Sequence, residues 1–342
     1  MSNTPEMKDG AVSEQSAGRA NDQSADLGPR KRRAWRVVLW SLGSFLAVAV
    51  AASIGIYAYV NHTVSSIPRV HVGNLSGSGS GETFLIAGSP WEPGGKPVQG
   101  VSATYTKLFM LLHINANGRT GGVVGIPGDA MVSVPGMGTE PLWEAFKVGG
   151  PSLLVLTVHQ LTGVPINHYA EIDLNHMTSL IDAVGGVNIT LPTSSKAYGH
   201  TFSVGVNHLT GITAVYYARD PLLSDQDRML REENLLRAIL IKIAGDHLLT
   251  NPVTAIRVLN AITSTLTVDS NMSNSQIESL ARKLGTLGAN AATFVTVPTR
   301  TVNGELVLNA PVASQLWTTN KKNSIATFAT TFPAAVTPAV VP

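Results

Sequence analysis

Residues 149–191 read GGPSLLVLTVHQLTGVPINHYAEIDLNHMTSLIDAVGGVNITL, and the change of period along this stretch decides the fold class. Pro151 stands at a first helical position. Leu153, Leu154, Leu156 and Leu161 follow before Gly163, the pattern of a buried helix with proline inside its start and glycine past its end. Residues 167–172 then read as a strand, Asn175 caps a helix that runs to Val184, and Gly185-Gly186 ends it. Residues 187–191 return as a strand, which predicts a β-α-β unit. Helix and strand alternating in this way call for an α/β layered architecture.

The same alternation extends in both directions. Upstream, residues 83–86 form a short apolar strand. Residues 108–114 and 120–126 flank Asn115-Ala116-Asn117-Gly118, a turn signal that makes them a hairpin. Downstream, the longest helix spans 225–243 and stacks Leu235, Ile239 and Ile243 on one face. Another helix starts at Ser273, with Ile277, Leu280 and Leu284 together before Gly285, and residues 291–297 give a last strand. Residues 82–323 are thus expected to form one domain, preceded by a Gly/Ser-rich connector over 61–81. Residues 324–342, rich in Ala, Thr, Pro and Val and without a period, are expected to be unstructured.

Ahead of that domain lies an apolar run of 24 residues, 37–60, with no charged side chain. As a helix it is about 36 Å long, enough to cross a hydrocarbon core. Arg30, Lys31, Arg32, Arg33 and Arg36 crowd its N-terminal side and the next charge is Arg69, so the N-terminus is expected in the cytoplasm and the main domain outside the cell membrane. A cleaved signal peptide is the competing reading. The small-x-small strings at Ala47-Val48-Ala49 and Ala49-Val50-Ala51 lie inside the apolar run, which continues for nine more residues, and this favours an uncleaved anchor. Residues 1–36, with too few large apolar side chains to bury a core, read as a disordered cytoplasmic tail.

Seven of the 24 cationic and five of the 22 acidic side chains precede Asn61, so the net +2 belongs to the N-terminal region and the remainder is balanced. A balanced domain has no general electrostatic footprint for nucleic acid. The chain has no cysteine, which removes disulfides, thiolate catalysis and Cys-ligated metal sites. Its nine histidines include no pair at a common ligand spacing, so no metal-ligand set is read from them.

A set of short strings in one order carries a resemblance. They are Leu111-Leu112-His113-Ile114-Asn115, Gly125-Ile126-Pro127-Gly128-Asp129, Leu161 to Tyr169, Leu180 to Val187, Leu209-Thr210-Gly211, Tyr217-Ala218-Arg219, Asp225 to Arg231, and Phe294-Val295-Thr296-Val297-Pro298-Thr299. In these the chain resembles the LytR-CpsA-Psr proteins of bacterial cell envelopes. The resemblance implies an α-β-α sandwich with a mixed central sheet, preceded by one transmembrane helix, and a groove for a polyprenyl-pyrophosphate lipid. It also implies transfer of a lipid-linked glycan to peptidoglycan, with Mg²⁺ and arginines at the pyrophosphate. Cations that gather charge on a reacting phosphorus, and carboxylates that hold a metal or orient a hydroxyl, suit that chemistry.

Residue by residue, the resemblance assigns pyrophosphate binding to Arg219, Arg228 and Arg231 and catalytic roles to Asp129 and Asp225. Other positions depart from the family pattern: Pro90, Tyr105, Lys107, Gly128 and Pro221 stand where the family has charged groups of another type. The carboxylates lost at Pro90 and Lys107 weaken the implication of Mg²⁺. Arg228 and Arg231, three apart at the start of the long helix, are cations where the backbone already supplies positive potential, which favours a bound anion. Their ordinary alternative is pairing with Asp225, Asp227 or Glu232. Asp129 after its Pro-Gly turn can simply bond local backbone, and Asp225 can be a first-turn acid. Three functions follow for weighing: an envelope phosphotransferase, a catalytically weakened relative that still binds lipid pyrophosphate, and a transcription factor. A cytoplasmic portion of about 36 residues without a helix-turn-helix pattern argues against the third.

Overall fold

The computed structural model describes residues 29–77, 79–88, 107–173, 176–245 and 251–341. The chain forms two compact units, Met1–Tyr57 and Ala58–Pro342. In the first unit the described residues belong to α1 (Pro29–Ser65), which ends in the second unit. Within α1, Ser44–Ser65 is the one described segment long and apolar enough to cross a membrane. Residues 1–28 of the expected tail lie outside the described residues, whereas 29–36 are already helical. The apolar segment also does not stop at Val60. Thr63 and Val64 are buried in the second unit, and Val60, Val64 and Ile67 join one of its hydrophobic clusters. Val72 is buried as well, so the stretch expected as a connector is largely built into the domain.

The second unit is organised on a seven-stranded mixed sheet. Its strands are β1 (Arg69–Val70), β2 (Glu82–Gly88), β3 (Leu108–Ile114), β4 (Gly121–Pro127), β7 (His168–Ile172), β12 (Leu266–Asp269) and β13 (Ala292–Thr296), in the order β1-β12-β7-β2-β3-β4-β13. The expected hairpin is β3–β4, antiparallel with Leu108 opposite Pro127 and Ile114 opposite Gly121. Every residue of both strands is buried, as befits strands covered on two faces. Alternation along β3 divides the core. Phe109 and Leu111 face one cluster, with α2 (Leu142–Thr162), α8 (Ala310–Lys321) and α9 (Ile325–Thr331). Leu108, Met110, Leu112 and Ile114 face another, with α5 (Asp225–Gly245), α6 (Pro252–Thr265) and α7 (Asn274–Ala291). The expected α-β-α sandwich with a mixed sheet is therefore present.

The remaining strands are small. β5 (Met131–Val134), β6 (Gly138–Pro141), β14 (Thr299–Val302) and β15 (Glu305–Leu308) form one sheet in the order β14-β15-β5-β6. β8 (Val187–Leu191) pairs with β11 (Gly205–Leu209), and β9 (Ser195–Ala197) with β10 (His200–Phe202). These, with α3 (Met177–Ala183) and α4 (Gly211–Ala218), build a third hydrophobic cluster.

Three expectations are corrected. The β-α-β unit is not formed, because β2 and β12 already occupy both edges of β7 and β8 pairs antiparallel with β11 instead. The helix expected from Pro151 continues from an earlier segment starting at Leu142, the two joined across Gly150 at φ 60°, ψ −157°. The C-terminal stretch expected to be unstructured carries α9, an isolated bridge from Val336 to Val295 and another from Val340 to Thr190, with Val341 wholly buried. Seven-residue helices and single bridges have no period to read, and burial alone holds them. The expected cap Asn175 lies outside the described residues, whereas Ser273 and Gln276 form the full capping box of α7.

Candidate functional site

Arg219 ends α4. Its N–H donates to the Val215 carbonyl at 2.9 Å, and its own carbonyl accepts from the Tyr198 hydroxyl at 3.0 Å, so the backbone is fixed from both sides. Its half-buried side chain lies on a narrow apolar cleft whose walls include Leu108, Met177, Val215, Leu235 and Leu236, with Glu232 as the other charged residue. The free volume is about 20 Å³, room for one water molecule. That is too little room for an acyl or prenyl chain in the cleft as it stands.

Arg231 is committed elsewhere. It is 1 % exposed. One terminal nitrogen donates to the Tyr217 carbonyl at 3.0 Å and lies 3.4 Å from Asp220 Oδ2; the other lies 3.4 Å from Ser195 Oγ. The guanidinium also covers the Tyr217 ring, 4.8 Å from its centre. Burial pulls its pKa down from the usual guanidinium value, against the pull of Tyr217, Asp220 and Asp227. The structure thus places Arg231 as a clamp between α5, the end of α4 and β9, with Asp220 as its carboxylate. Asp220 was not singled out from the sequence, although a carboxylate directly after Arg219 was a signal for it.

Arg228 lies one turn earlier, half-buried, and donates to the Leu223 carbonyl at 3.2 Å. Ser224 caps that end of α5, its hydroxyl accepting from the Asp227 N–H at 3.1 Å and donating to the Asp227 carboxylate at 2.7 Å. Asp225 is the first residue of α5, and its side chain lies outside the described ones.

Asp129 is held by Lys107, Nζ to Oδ1 2.6 Å. The turn that carries it depends on Gly128, where a Cβ would lie 2.6 Å from the Lys107 Cβ and 2.7 Å from its carbonyl oxygen. A side chain at position 128 is excluded by the same lysine that pairs with the carboxylate. Leu108, next in the chain to Lys107, lies on the wall of the Arg219 cleft. The described residues contain no group of three His, Asp or Glu placed to hold a metal ion. With an ammonium on Asp129, this arrangement does not fit a Mg²⁺ site at that carboxylate.

Glu233 was also missed by sequence reasoning. It is buried, and its Oε2 accepts from Thr296 Oγ1 at 3.0 Å and from Thr337 Oγ1 at 2.9 Å. Gly125 of β4 makes the space, since a Cβ there would overlap Oε1. Burial pushes the Glu233 carboxyl up to about 7, against the two hydroxyl bonds and the charge of Arg237. Arg237 in turn donates to the Thr337 carbonyl at 2.6 Å and covers the Phe294 ring. A glycine inside an otherwise apolar strand was the available signal, since it marks a close approach.

The probable cell wall biosynthesis protein LcpB of Corynebacterium glutamicum is 30% identical over 260 residues, which is 70% of this chain and 62% of that protein, less than two thirds of its length. The polyisoprenyl-teichoic acid–peptidoglycan teichoic acid transferase TagU of Bacillus cereus is 29% identical over 63% of this chain and 74% of its own. The LytR-Csp2A-Psr enzyme from Actinomyces oris has the same fold, with a TM-score of 0.60 at 22% identity, covering 74% of this chain and 95% of its own. Residues 58–323, the greater part of the second unit, match the family model, and the chain belongs to the LytR_cpsA_psr family.

Proposed function

We propose that this chain binds a polyprenyl-pyrophosphate-linked glycopolymer beside Arg219 and serves its attachment to peptidoglycan. The observation that carries the reading is a guanidinium on a slot lined mostly by apolar side chains, with Glu232 as its other charged residue, between α4, α5 and β3. An amphiphile with an anionic head and a hydrocarbon tail has that distribution of chemistry. The polyisoprenyl-teichoic acid for which the relative TagU is named belongs to the same substrate class. Transfer would form a bond from an acceptor hydroxyl oxygen to the phosphorus nearest the glycan and break that phosphorus's bond to the bridging oxygen, so that prenyl phosphate leaves and the hydroxyl proton passes to solvent. The basic residues from Arg30 to Arg36 support a cytoplasmic N-terminus with the second unit outside.

A second reading has its own support. The Lys107–Asp129 pair neutralises the carboxylate that the family resemblance makes catalytic, and this favours a homologue that binds lipid pyrophosphate with weak transfer activity. One experiment addresses both readings. Full-length protein in vesicles is given prenyl pyrophosphate, and binding and Mg²⁺-dependent turnover are followed in parental, Arg219→Ala and Lys107→Ala forms. Arg219→Ala should weaken binding about ten- to a hundredfold, the worth of hydrogen bonds to a charged group, with the prenyl alcohol little affected. Unchanged affinity in Arg219→Ala would remove the site assignment. Rapid turnover by the parental protein would remove the weakened reading, and a gain in turnover in Lys107→Ala would support it.

A further inference from the structure

The last two turns of α1, Ala58–Ser65, belong to the second unit, and they fix the direction of a second helix beside them. β1 and β12 pair in parallel, with Arg69 opposite Val268. α1 leads into β1 and α6 leads into β12. Ahead of those strands, the Tyr59 hydroxyl donates to Asn260 Oδ1 at 3.0 Å, and Val60 and Leu259 pack on one cluster. The two helices are therefore joined at two levels in the same order and run the same way. From Asn260 back to Val253 is seven residues, about 10 Å of helix. The first two turns of α6 thus reach about 10 Å past Tyr59 on its Ala58 side.

Those turns are not built for water. Val253 is 65% exposed and Ile256 37%, and with Arg257 and Asn260 they form the outward stripe of α6 at i, i+3, i+4 and i+7. Val258 and Ala261 occupy the buried face. Arg257 is the one charged residue of α6, which has no carboxylate. The apolar segment of α1 supplies the reference level. Val60, Thr63 and Val64 are taken up by the domain, so on the membrane reading of α1 the boundary with lipid would fall at exposed Tyr57 and Tyr59, residues suited to a membrane interface.

We infer that the N-terminal half of α6 is a second membrane contact, with Val253 and Ile256 in the acyl-headgroup boundary and Arg257 among lipid phosphates. The occupant of this face is the bilayer that holds α1, so the inference rests on the membrane reading of that helix. Such a contact would seat the domain on the membrane at two points rather than let it swing on one. It would bring the end of α5 and α6 to the level at which a lipid-linked substrate presents its head.

The chain has no cysteine, so single-cysteine variants can be spin-labelled cleanly. Full-length Val253→Cys, Ile256→Cys, Val206→Cys and Ile54→Cys proteins are labelled in vesicles of phosphatidylcholine and phosphatidylglycerol. Collision of each label with oxygen and with a water-soluble nickel chelate is then measured. Labels at 253 and 256 should meet oxygen and exclude nickel, with an oxygen-to-nickel ratio several-fold above that at 206. Nickel access equal to that at 206 overturns the inference, and exclusion of both agents overturns it in favour of a protein covering. The label at 54 separates the two readings. If it lies in lipid while 253 and 256 are aqueous, only the α6 contact fails; if it too is aqueous, the membrane reading of α1 fails with it.

Discussion

The two faces of the central sheet are packed in different ways. The face under α2, α8 and α9 is closed by apolar side chains, among them Phe109, Leu111, Val124, Trp317 and Phe328. Buried titratable groups on that side of the sheet include Tyr169 of β7, whose hydroxyl donates to Glu171 at 3.1 Å, and His113, which bonds Thr83 Oγ1 at 2.9 Å and Asn323 Oδ1 at 2.6 Å. The face under α5 has Glu233 buried against the sheet, with Arg237 beside it. Farther along α5 lie Arg231 and the Arg219 cleft. Burying charge is costly unless partners meet it, so a helix that carries several such groups is not optimised for stability alone. The first face holds the fold together, and the second bears the polar groups from which a site can be made.

The largest effect expected of this difference is at Arg231. Arg231→Ala leaves Asp220 buried without its cation and should cost about 3 to 5 kcal/mol, the range for breaking a buried pair, read in denaturant unfolding. If Arg231→Ala is as stable as the parent, the clamp is dispensable and the residue is available for ligand. Next come two glycines that look alike in the sequence. A Cβ at Gly125 would overlap the Glu233 carboxyl, which two hydroxyls hold, whereas one at Gly122 would meet hydrocarbon, 2.6 Å from both Cδ1 and Cγ2 of buried Ile325. Gly125→Ala should therefore cost about 3 kcal/mol or more and Gly122→Ala about 1 kcal/mol. Equal losses would mean that the faces yield equally.

The pH profile sharpens the comparison further, because the two buried groups have opposite signs. Glu233 is raised from its unfolded value of 4.5 to about 7, so its contribution to stability is complete below 4.5 and is lost as pH rises to 7. The loss is on the order of 3 kcal/mol. His113 is lowered by burial, so its contribution is present above 6.5 and falls away in acid. Melting temperatures between pH 4.5 and 8 should show the downward slope of Glu233, and Glu233→Gln should flatten it. A variant that keeps the parental slope would place the titration elsewhere.

Much of this was legible in the residues. The hairpin of β3 and β4 stands out because Asn117-Gly118 interrupts two apolar runs, and the box at Ser273 and Gln276 marks the start of α7 as sequence rules require. What stayed hidden was set by distance in the chain. Asp220 pairs with Arg231 across 11 positions and Thr337 with Glu233 across 104, and no local period reports either. The arginine pair three apart suggested one shared orientation, yet Arg231 binds the Tyr217 carbonyl and Arg228 that of Leu223. Helical spacing sets which side of a helix two residues occupy, while long side chains choose their ends from what the neighbouring elements offer.

The family match ends at residue 323, but the chain does not stop contributing there. The Thr337 N–H donates to the Phe294 carbonyl, Val336 bridges Val295, and Val340 reaches Thr190 of β8. β13 is an end strand of the seven-stranded sheet, and open strand edges invite pairing between molecules. The last residues therefore serve as a selvedge that finishes the cloth. Proteolysis after Asn323 would undo that edge and also strip α9 from its face of the sheet and the Thr337 hydroxyl from Glu233, so the remainder should be less stable and tend to stick to its own copies.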